Sequence, residues 1–398
     1  TQSTRVRHAT DRLTIKDAMR CTIPLPALYH LLRDCVSLIP ARTTMPITGH
    51  LLLSATDDHI TITNLETTVI AQCPASVSEA GTVTLPGKKL YEILKELSGE
   101  EIRLSHNAKT LATTLECNGS RFQLIGLPPE EFPAMPTHAA TPLFTIAQQD
   151  LYTLMTETLP SMGHATQQAL NTLRIEWHPT TIPTIRTVTT DGKRLTQSEL
   201  TTGTWLKKPT TKGHALLSPC TAQVLHRLLH YTRPDVITVS IADALLIITL
   251  PTLPVTTRLV EGRYPNYETL TPTHLSPCLE LTRKDCIESL TRLAIMAPPE
   301  TPAIDLDLNA NRLILHTDNP QLGQAREEVS ATILREGFKV RLNARFLLDA
   351  LTTAPTDHIT LNMDTPDSPC ILTNGNPTRW RAIIIPIRIG EHRPANPA

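Results

Sequence analysis

The feature that most constrains the fold of this chain is a pattern that occurs three times along its 398 residues. Four landmarks recur in the same order: a strand running into an amphipathic helix, a strand ending in a polar turn, a second strand-to-helix junction, and a closing strand rich in proline. The period is too long for a solenoid repeat. Each copy is therefore predicted to be a complete domain of about 125 residues.

The landmarks are spaced almost evenly. The polar turns contain Asn64, Asp191 and Asp318, which lie 127 residues apart in both steps. The second strand-to-helix junctions read TLPGKKLYEILKEL, LLSPCTAQVLHRLL and VRLNARFLLDALTT. Strand, turn and helix are common singly, but the same order three times over indicates a true repeat.

Composition and periodicity favour an α+β fold. Threonine and proline are abundant and aromatic residues make up only 4%; threonine is typical of strands, and proline is confined to turns and edges. Each copy is predicted to carry two helices and about eight short strands, with the helices covering one sheet face. The predicted boundaries are a poorly ordered extension at 1–18, domains at 19–138, 139–271 and 272–389, and a tail at 390–398.

Charge and cysteine usage exclude several classes of protein. The net charge is −1 with a pI near 6.9, so the chain lacks the overall positive charge of a tight nucleic-acid binder. Its eight cysteines have no CxxC pair or regular spacing, which argues against a structural zinc site or a disulfide framework. Apolar runs such as ALLIITL at 244–250 are too short to span a membrane. We expect a cytoplasmic protein without metal or cofactor.

Positive charge is concentrated on the predicted helices. Their apolar residues recur at helical spacing and leave a basic face. That face carries Lys88, Lys89, Lys95, His226, Arg227, His230, Arg283, Lys284, Arg292 and Arg345. A charged helix face is usually only solvated, but its recurrence in every copy favours a shared cationic surface.

The motifs that would indicate an enzyme are incomplete. In GTVTLPGKK at 81–89, five residues separate the glycines instead of four, and Lys89 stands where a phosphate-binding loop needs Ser or Thr. His226 and His230 are four residues apart and could share a metal, but no glutamate lies between them and no third ligand is apparent. No Gly-x-Ser-x-Gly motif occurs, and no cysteine has an obvious histidine partner.

The stretch TTDGKRL at 189–195 has three readings: a catalytic carboxylate beside two cations, a phosphate site, or a tight turn. Its counterparts TITNLET and LHTDNPQ favour a scaffold turn, because Asn, Asp and Gly tolerate positive φ. This removes Asp191 as an acid–base candidate. Gly192, Arg194 and Leu195 are particular to the second copy and suit an apolar wall with a polar edge.

Five segments of the chain follow a pattern known from one family. They are MRCTIP, RTTMPITGHLLLSA, TTDGKRL, LVEGRYPNYETLTP and IIIPIRI. They resemble segments of the bacterial sliding clamps, the DNA polymerase III β subunits. MRCTIP resembles the family's N-terminus, RTTMPITGHLLLSA its Arg-x-Thr-Leu-Pro-Ile-Leu stretch, and TTDGKRL its Thr-Asp-Gly-His-Arg-Leu turn. LVEGRYPNYETLTP resembles its Leu-Val-Asp-Gly-Arg-Phe-Pro-Asp-Tyr segment, and IIIPIRI its C-terminal Val-Met-Pro-Met-Arg-Leu. The likeness spans about residues 19–389. It implies a head-to-tail homodimer, a ring of six domains lined by helices.

The resemblance implies that inner helices contact duplex DNA loosely and without reading its sequence. The matching positions are Arg42, Lys88, Lys89, His164, Gln168 and Arg227. The chain departs from the family at SPCTAQ, where Cys220 and Thr221 replace an Arg-Lys pair. The second domain is expected to grip DNA less unless Arg227, His226 and Arg233 compensate.

The resemblance also implies a pocket between the second and third domains that binds short apolar peptides. The partners it implies are the polymerase III α subunit, the clamp loader, other polymerases and repair proteins. The matching positions are Leu170, Thr190, Gly192, Lys193, Arg194, Leu195, Pro265, Leu270, Asn343, Phe346, Ile383, Ile384, Ile385, Pro386, Ile387 and Arg388.

For the ring joint, the resemblance places Phe122 and Leu124 on an edge strand that meets another subunit. The expected contacts in that subunit are Ile295, Met296, Glu327 and Glu328, with Arg121 facing one of the glutamates. The predicted function is that of a DNA sliding clamp without catalysis of its own. The alternatives are a scaffold that does not bind DNA, against which the basic helices count, and an enzyme with an unrecognised site.

Overall fold

The computed structural model describes most of the chain but not its ends. The described residues are 18–36, 39, 45–64, 68–69, 71–133, 140–163, 170–231, 235–242, 244–250, 254–270, 274–298, 302–309, 312–375 and 378–388. Nearly all of the predicted extension and all of the predicted tail lie outside them. Within these ranges, no helix is both long and apolar enough to cross a membrane.

The described residues form six α-helices, two for each copy of the repeat, as predicted. They are α1 (Leu25–Val36), α2 (Gly87–Glu96), α3 (Gln148–Thr158), α4 (Pro219–Tyr231), α5 (Arg283–Ala294) and α6 (Ala344–Thr353). Each is amphipathic: α2, for example, buries Leu90 and Leu94 while Lys88 and Lys89 are exposed.

The strands are short and numerous. In chain order they are β1 (Ala18–Pro24), β2 (His50–Thr56), β3 (His59–Thr63), β4 (Thr68–Val69), β5 (Ala71–Pro74), β6 (Ser76–Glu79), β7 (Gly81–Pro86), β8 (Glu101–Asn107), β9 (Ala112–Cys117), β10 (Ser120–Ile125), β11 (Thr141–Ala147), β12 (Leu173–His178), β13 (Thr184–Thr190), β14 (Arg194–Thr201), β15 (Thr204–Trp205), β16 (Gly213–Leu217), β17 (Val236–Ala242), β18 (Leu245–Thr249), β19 (Pro254–Arg258), β20 (Pro277–Thr282), β21 (Ala303–Asn309), β22 (Arg312–Asn319), β23 (Gly323–Ile333), β24 (Phe338–Asn343), β25 (His358–Asn362), β26 (Cys370–Thr373) and β27 (Trp380–Ile384). Strands such as β8 alternate exposed and buried residues, which is typical of a sheet covered on one face.

The chain divides into two compact units. The first comprises the described residues of 1–149, 203–209 and 223–259, and the second those of 150–202, 210–222 and 260–398. The first unit contains three antiparallel sheets, ordered β10-β9-β8-β1-β6, β5-β3-β2-β7 and β15-β11-β17-β18-β19-β4. The second contains one sheet of twelve strands, ordered β16-β12-β13-β14-β27-β26-β25-β20-β23-β22-β21-β24.

The strand order repeats three times within these sheets. One half of each copy reads β6-β1-β8-β9-β10, β15-β11-β17-β18-β19 or β23-β20-β25-β26-β27, and the other half reads β5-β3-β2-β7, β14-β13-β12-β16 or β23-β22-β21-β24. The fold is therefore α+β, built from three tandem copies of one two-helix, β-rich domain. Internal repetition in the sequence predicted this architecture.

The copies are joined by the closing strands. In the first unit β19 pairs with β4, which follows the polar turn of the first copy. In the second unit β27 pairs with β14, which follows the polar turn of the second copy. The closing strand of the first copy, β10, pairs only with β9 among the described residues and is a sheet edge.

Candidate peptide-binding pocket and DNA-facing helices

The TTDGKRL stretch forms a tight turn between β13 and β14. The Asp191 Oδ1 atom accepts hydrogen bonds from the backbone N–H groups of Lys193 and Arg194, both at 2.9 Å. The Thr190 hydroxyl donates to the Arg194 carbonyl at 2.6 Å, and Gly192 has φ of +85°. Asp191 therefore serves the turn, and a residue without a Cβ is favoured where the backbone takes positive φ.

Two of the predicted pocket residues, Leu195 and Ile383, lie where β14 pairs with β27. Leu195 stands opposite Ile383, and both are buried in a cluster. The other members of that cluster are Val188, Leu216, Tyr264, Tyr267 and Ile371. This buried cluster is apolar, which is compatible with a neighbouring site for aliphatic side chains.

One rim of the pocket is the segment that follows β27. The Ile385 N–H donates to the Lys193 carbonyl at 3.0 Å, and the Ile387 N–H donates to the Arg341 carbonyl at 2.8 Å. These bonds hold the segment beside the turn while leaving the Ile385 side chain 46% exposed.

Two further predicted pocket residues, Pro265 and Leu270, belong to a segment that is held in place through Tyr267. The Tyr267 hydroxyl donates to Glu176 Oε2 at 2.8 Å and accepts from Arg186 at 3.3 Å. Burial, together with the nearby Glu176 carboxylate, raises the pKa of Tyr267, so its hydroxyl stays protonated and able to donate. Leu270 is 44% exposed at the end of this segment.

The predicted pocket residues Asn343 and Phe346 lie at the start of α6. Asn343 caps this helix by accepting from the N–H groups of Arg345 and Phe346. The Arg194 guanidinium lies 4.3 Å from the centre of the Phe346 ring and donates to Asp349 at 2.6 Å. Sequence reasoning treated Arg194 as a polar edge, but its side chain is only 11% exposed and forms part of the wall.

All of the predicted pocket residues lie in the second unit, and the contacts above join the turn to the segment after β27 and to the start of α6. Leu170 lies beside the turn, since a Cβ added to Gly192 would stand 3.8 Å from its Cδ1 atom. Sequence reasoning missed three residues that hold the predicted ones: Asp349 bonds to Arg194, Glu176 accepts from Tyr267, and Ile371 packs in the buried cluster. No local pattern marks them, because their partners are distant along the chain.

The candidate DNA-facing lysines occupy the first turn of α2. Lys88 and Lys89 are exposed, Pro86 provides no side-chain cap, and the first turn contains no acidic residue. Lys89 Nζ also lies 2.5 Å from Glu92. Cations at the positive end of a helix dipole are unfavourable by roughly 0.3–1 kcal/mol each unless an anion lies nearby, and Glu92 is such an anion for Lys89.

The basic residues of α4 are less available than those of α2. Arg227 is half-buried, and its Nε atom donates to the Gln223 carbonyl at 3.4 Å. Burial lowers the pKa of His226, assisted by His230 and Arg227, so His226 is neutral near pH 7. His226 therefore does not replace the charge absent at Cys220 and Thr221. Arg42, His164, Gln168 and Arg233 lie outside the described residues.

The candidate joint surfaces carry exposed apolar side chains. On β10, Phe122 is 40% exposed and Ile125 is 71% exposed, while Ile295, after α5, is 76% exposed and Leu322, before β23, is 63% exposed. Leu124 is half-buried, as is Met296. The charged residues nearby already have partners: Arg121 pairs with Glu116, Glu327 with Arg292, and Glu328 with Arg312 and Arg326.

The enzyme-like motifs do not assemble into a site within the described residues. The segment GTVTLPGKK is strand β7 followed by the first turn of α2 instead of a loop. In the described part of the chain, no three His, Cys, Asp or Glu side chains cluster as metal ligands would. Burial raises the pKa of Cys21 to about 11 and of Cys73 to about 12, which keeps both thiols protonated at neutral pH.

Comparison with solved structures identifies the fold as that of the sliding clamps. A DnaN sliding clamp from Bartonella birtlesii, solved with griselimycin bound, has a TM-score of 0.86 at 22% identity and matches 94% of this chain and all of its own. The Thermotoga maritima DNA polymerase III β subunit has a TM-score of 0.84 at 22% identity with the same coverage.

Comparison of sequences identifies the family. The DNA polymerase III beta subunit family matches through its N-terminal domain at residues 19–136 and its C-terminal domain at residues 268–388. A beta sliding clamp from a Synechocystis species is 26% identical, covering 88% of this chain and 94% of the relative. One from Proteus mirabilis is also 26% identical, covering 93% and 100%. The chain belongs to the bacterial sliding clamp family, the DNA polymerase III β subunits.

Proposed function

We propose that the chain is a DNA sliding clamp, a homodimeric ring that encircles duplex DNA and tethers a replicative polymerase. The observation that carries this proposal is the pattern of closing strands. Because β19 pairs with β4 and β27 with β14, the same rule applied to β10 calls for the strand after the third polar turn, which is β23. A β10–β23 pairing between two copies, repeated by symmetry, closes a ring of six domains.

The edges available for this pairing support it. Within the described residues, the Gly323–Glu328 part of β23 pairs with β22 on one side and has no strand on the other. Exposed apolar side chains lie near both edges, Phe122 and Ile125 on one and Ile295 and Leu322 on the other. Pairing the two edges across a dimer buries these side chains and removes two exposed sheet edges.

A ring holds DNA by topology and needs only weak phosphate contacts. A chain with a net charge of −1 that exposes Lys88 and Lys89 at the start of α2 suits loose contacts that permit sliding. Partners bind through short apolar peptides in the pocket that includes Leu195 and Ile383. The proposed partners are the polymerase III α subunit, the clamp loader, other polymerases and repair proteins. The ring acts in the cytoplasm as a processivity factor without catalysis of its own.

Reversing charge at Lys88 and Lys89, with Lys→Glu at both, is expected to weaken DNA association without splitting the dimer. Each lysine that contacts a phosphate contributes about one unit to the slope of log affinity against log salt, and this slope is the measurement. The matched control is Lys→Glu at Lys207 and Lys208, which are exposed after β15 and outside the helices. Equal slopes for the two double variants would show that Lys88 and Lys89 do not contact DNA.

The proposed function is tested by primer extension with purified polymerase III core and clamp loader. Adding the chain should lengthen the products made in a single binding event, while the Leu195→Asp variant, which carries a charge in the apolar cluster of the pocket, should not. Product length unchanged by the unaltered chain would contradict the proposal.

A further inference from the structure

The Arg194 side chain is held on three sides within the pocket. Its Nε atom donates to Asp191 at 3.0 Å, its Nη1 atom donates to Asp349 at 2.6 Å, and its plane lies over the Phe346 ring at 4.3 Å. A guanidinium is planar and presents its donors in a rigid fork, so two bonds and a stacking contact fix the direction of every remaining N–H group.

Asp349 is placed so that its carboxylate can fix the orientation of the Arg194 guanidinium. Phe346 and Asp349 are three residues apart on α6 and share one helix face, and the Asn343 cap fixes where that helix begins. Asp349 is 155 residues from Arg194 along the chain and 31% exposed. The contact therefore depends on the fold and not on local sequence.

The Arg194 guanidinium has more N–H donors than these two hydrogen bonds use. A guanidinium carries five N–H donors, and in the described part of the chain Nη2 of Arg194 donates to no residue. The side chain is only 11% exposed and the neighbouring buried cluster is apolar. Directed donors in such a place gain most from an acceptor that arrives with a ligand.

We propose that Asp349 is a positioning residue of the pocket, holding Arg194 so that its Nη2 donates to a neutral acceptor of the bound peptide, such as a backbone carbonyl. We take the acceptor to be neutral because the Asp191 and Asp349 carboxylates already compensate the charge of the Arg194 guanidinium, so a charged acceptor gains little extra attraction from it. The inference rests on the proposed function of the pocket and adds a residue and a ligand chemistry to it.

The test is a double-mutant cycle on peptide affinity. The probe is a fluorescent clamp-binding peptide from the polymerase III α subunit, and the variants are Asp349→Ala, Arg194→Gln and the pair together. Loss of a charge-assisted contact should weaken binding by about tenfold in Asp349→Ala. Because Asp349 acts through Arg194, Asp349→Ala should have no further effect in the Arg194→Gln background.

Two further variants separate positioning from general stability. Asp349→Glu should restore part of the affinity, and Glu336→Gln, at an exposed site before β24, should leave it unchanged. Additive effects in the cycle, or unchanged affinity in a folded Asp349→Ala variant, would overturn the proposal. A carboxylate acceptor instead of a neutral one would show as an affinity that falls steeply with salt. If the unaltered chain failed to bind the peptide, the proposed function of the pocket would fail, which is a different outcome.

Discussion

A Phe122→Asp variant is expected to sediment as a monomer at concentrations where the unaltered chain is a dimer. The Phe122 ring is 40% exposed on edge strand β10, and the proposed joint buries it against a second copy. Placing a carboxylate in an apolar contact costs about 3 kcal/mol or more, which weakens association by more than about 100-fold. Ile295→Asp should have the same effect from the other side of the joint.

The matched control is Ile182→Asp. Ile182 is 51% exposed in the turn between β12 and β13 and belongs to neither candidate edge strand. This variant should stay dimeric, and all three should unfold at similar temperatures because none of the altered side chains is in a core. If the unaltered chain were a dimer and both Phe122→Asp and Ile295→Asp remained dimers, the β10–β23 joint would be wrong.

Arg379→Met is expected to cause the largest loss of stability among single substitutions away from the apolar core. The Arg379 guanidinium donates to both carboxylate oxygens of Glu157, at 2.7 and 2.9 Å, and Ser198 donates to the same carboxylate. Glu157 is only 6% exposed, so removing the arginine leaves an uncompensated buried charge. The expected loss is about 3–5 kcal/mol in the free energy of unfolding.

The measurement is urea unfolding monitored by tryptophan fluorescence. Trp177 and Trp380 are both buried in the second unit, which also contains the Arg379–Glu157 pair. A Glu157→Gln change added to Arg379→Met should recover part of the loss by removing the stranded charge. The control is Lys212→Met, which breaks an ion pair whose side chains are more than half exposed and should change little. Equal losses for Arg379→Met and Lys212→Met would show that burial of Glu157 does not matter.

Periodicity explains why the architecture could be predicted from the sequence. Three copies repeat the same strand-turn-helix order. Each weak local pattern for a strand, turn or helix therefore occurs three times, whereas a chance pattern would occur in one copy only. The tight turn at Asp191 followed from its counterparts in the other copies. The prediction that Leu195 and Ile383 belong to a peptide-binding pocket followed from motifs that resemble those of the family.

The contacts that complete the site could not be predicted, because they join residues far apart in the chain. Arg194 meets Asp349 across 155 residues, and Glu157 meets Arg379 across 222. A lone aspartate on a helix or an arginine before a strand carries no sign of its partner. The burial that neutralises His226 is likewise a property of packing, which sequence spacing does not report.

The claim that the chain forms a closed ring around DNA is tested most directly by loading it onto nicked circular DNA with a clamp loader and then linearising the circle. A ring held by topology slides off the free ends, so the protein should leave the DNA on linearisation at constant salt. It should remain on circles treated in the same way but left uncut. Protein that stayed on the linear DNA until the salt was raised would be bound by ordinary charge contacts and would contradict the ring.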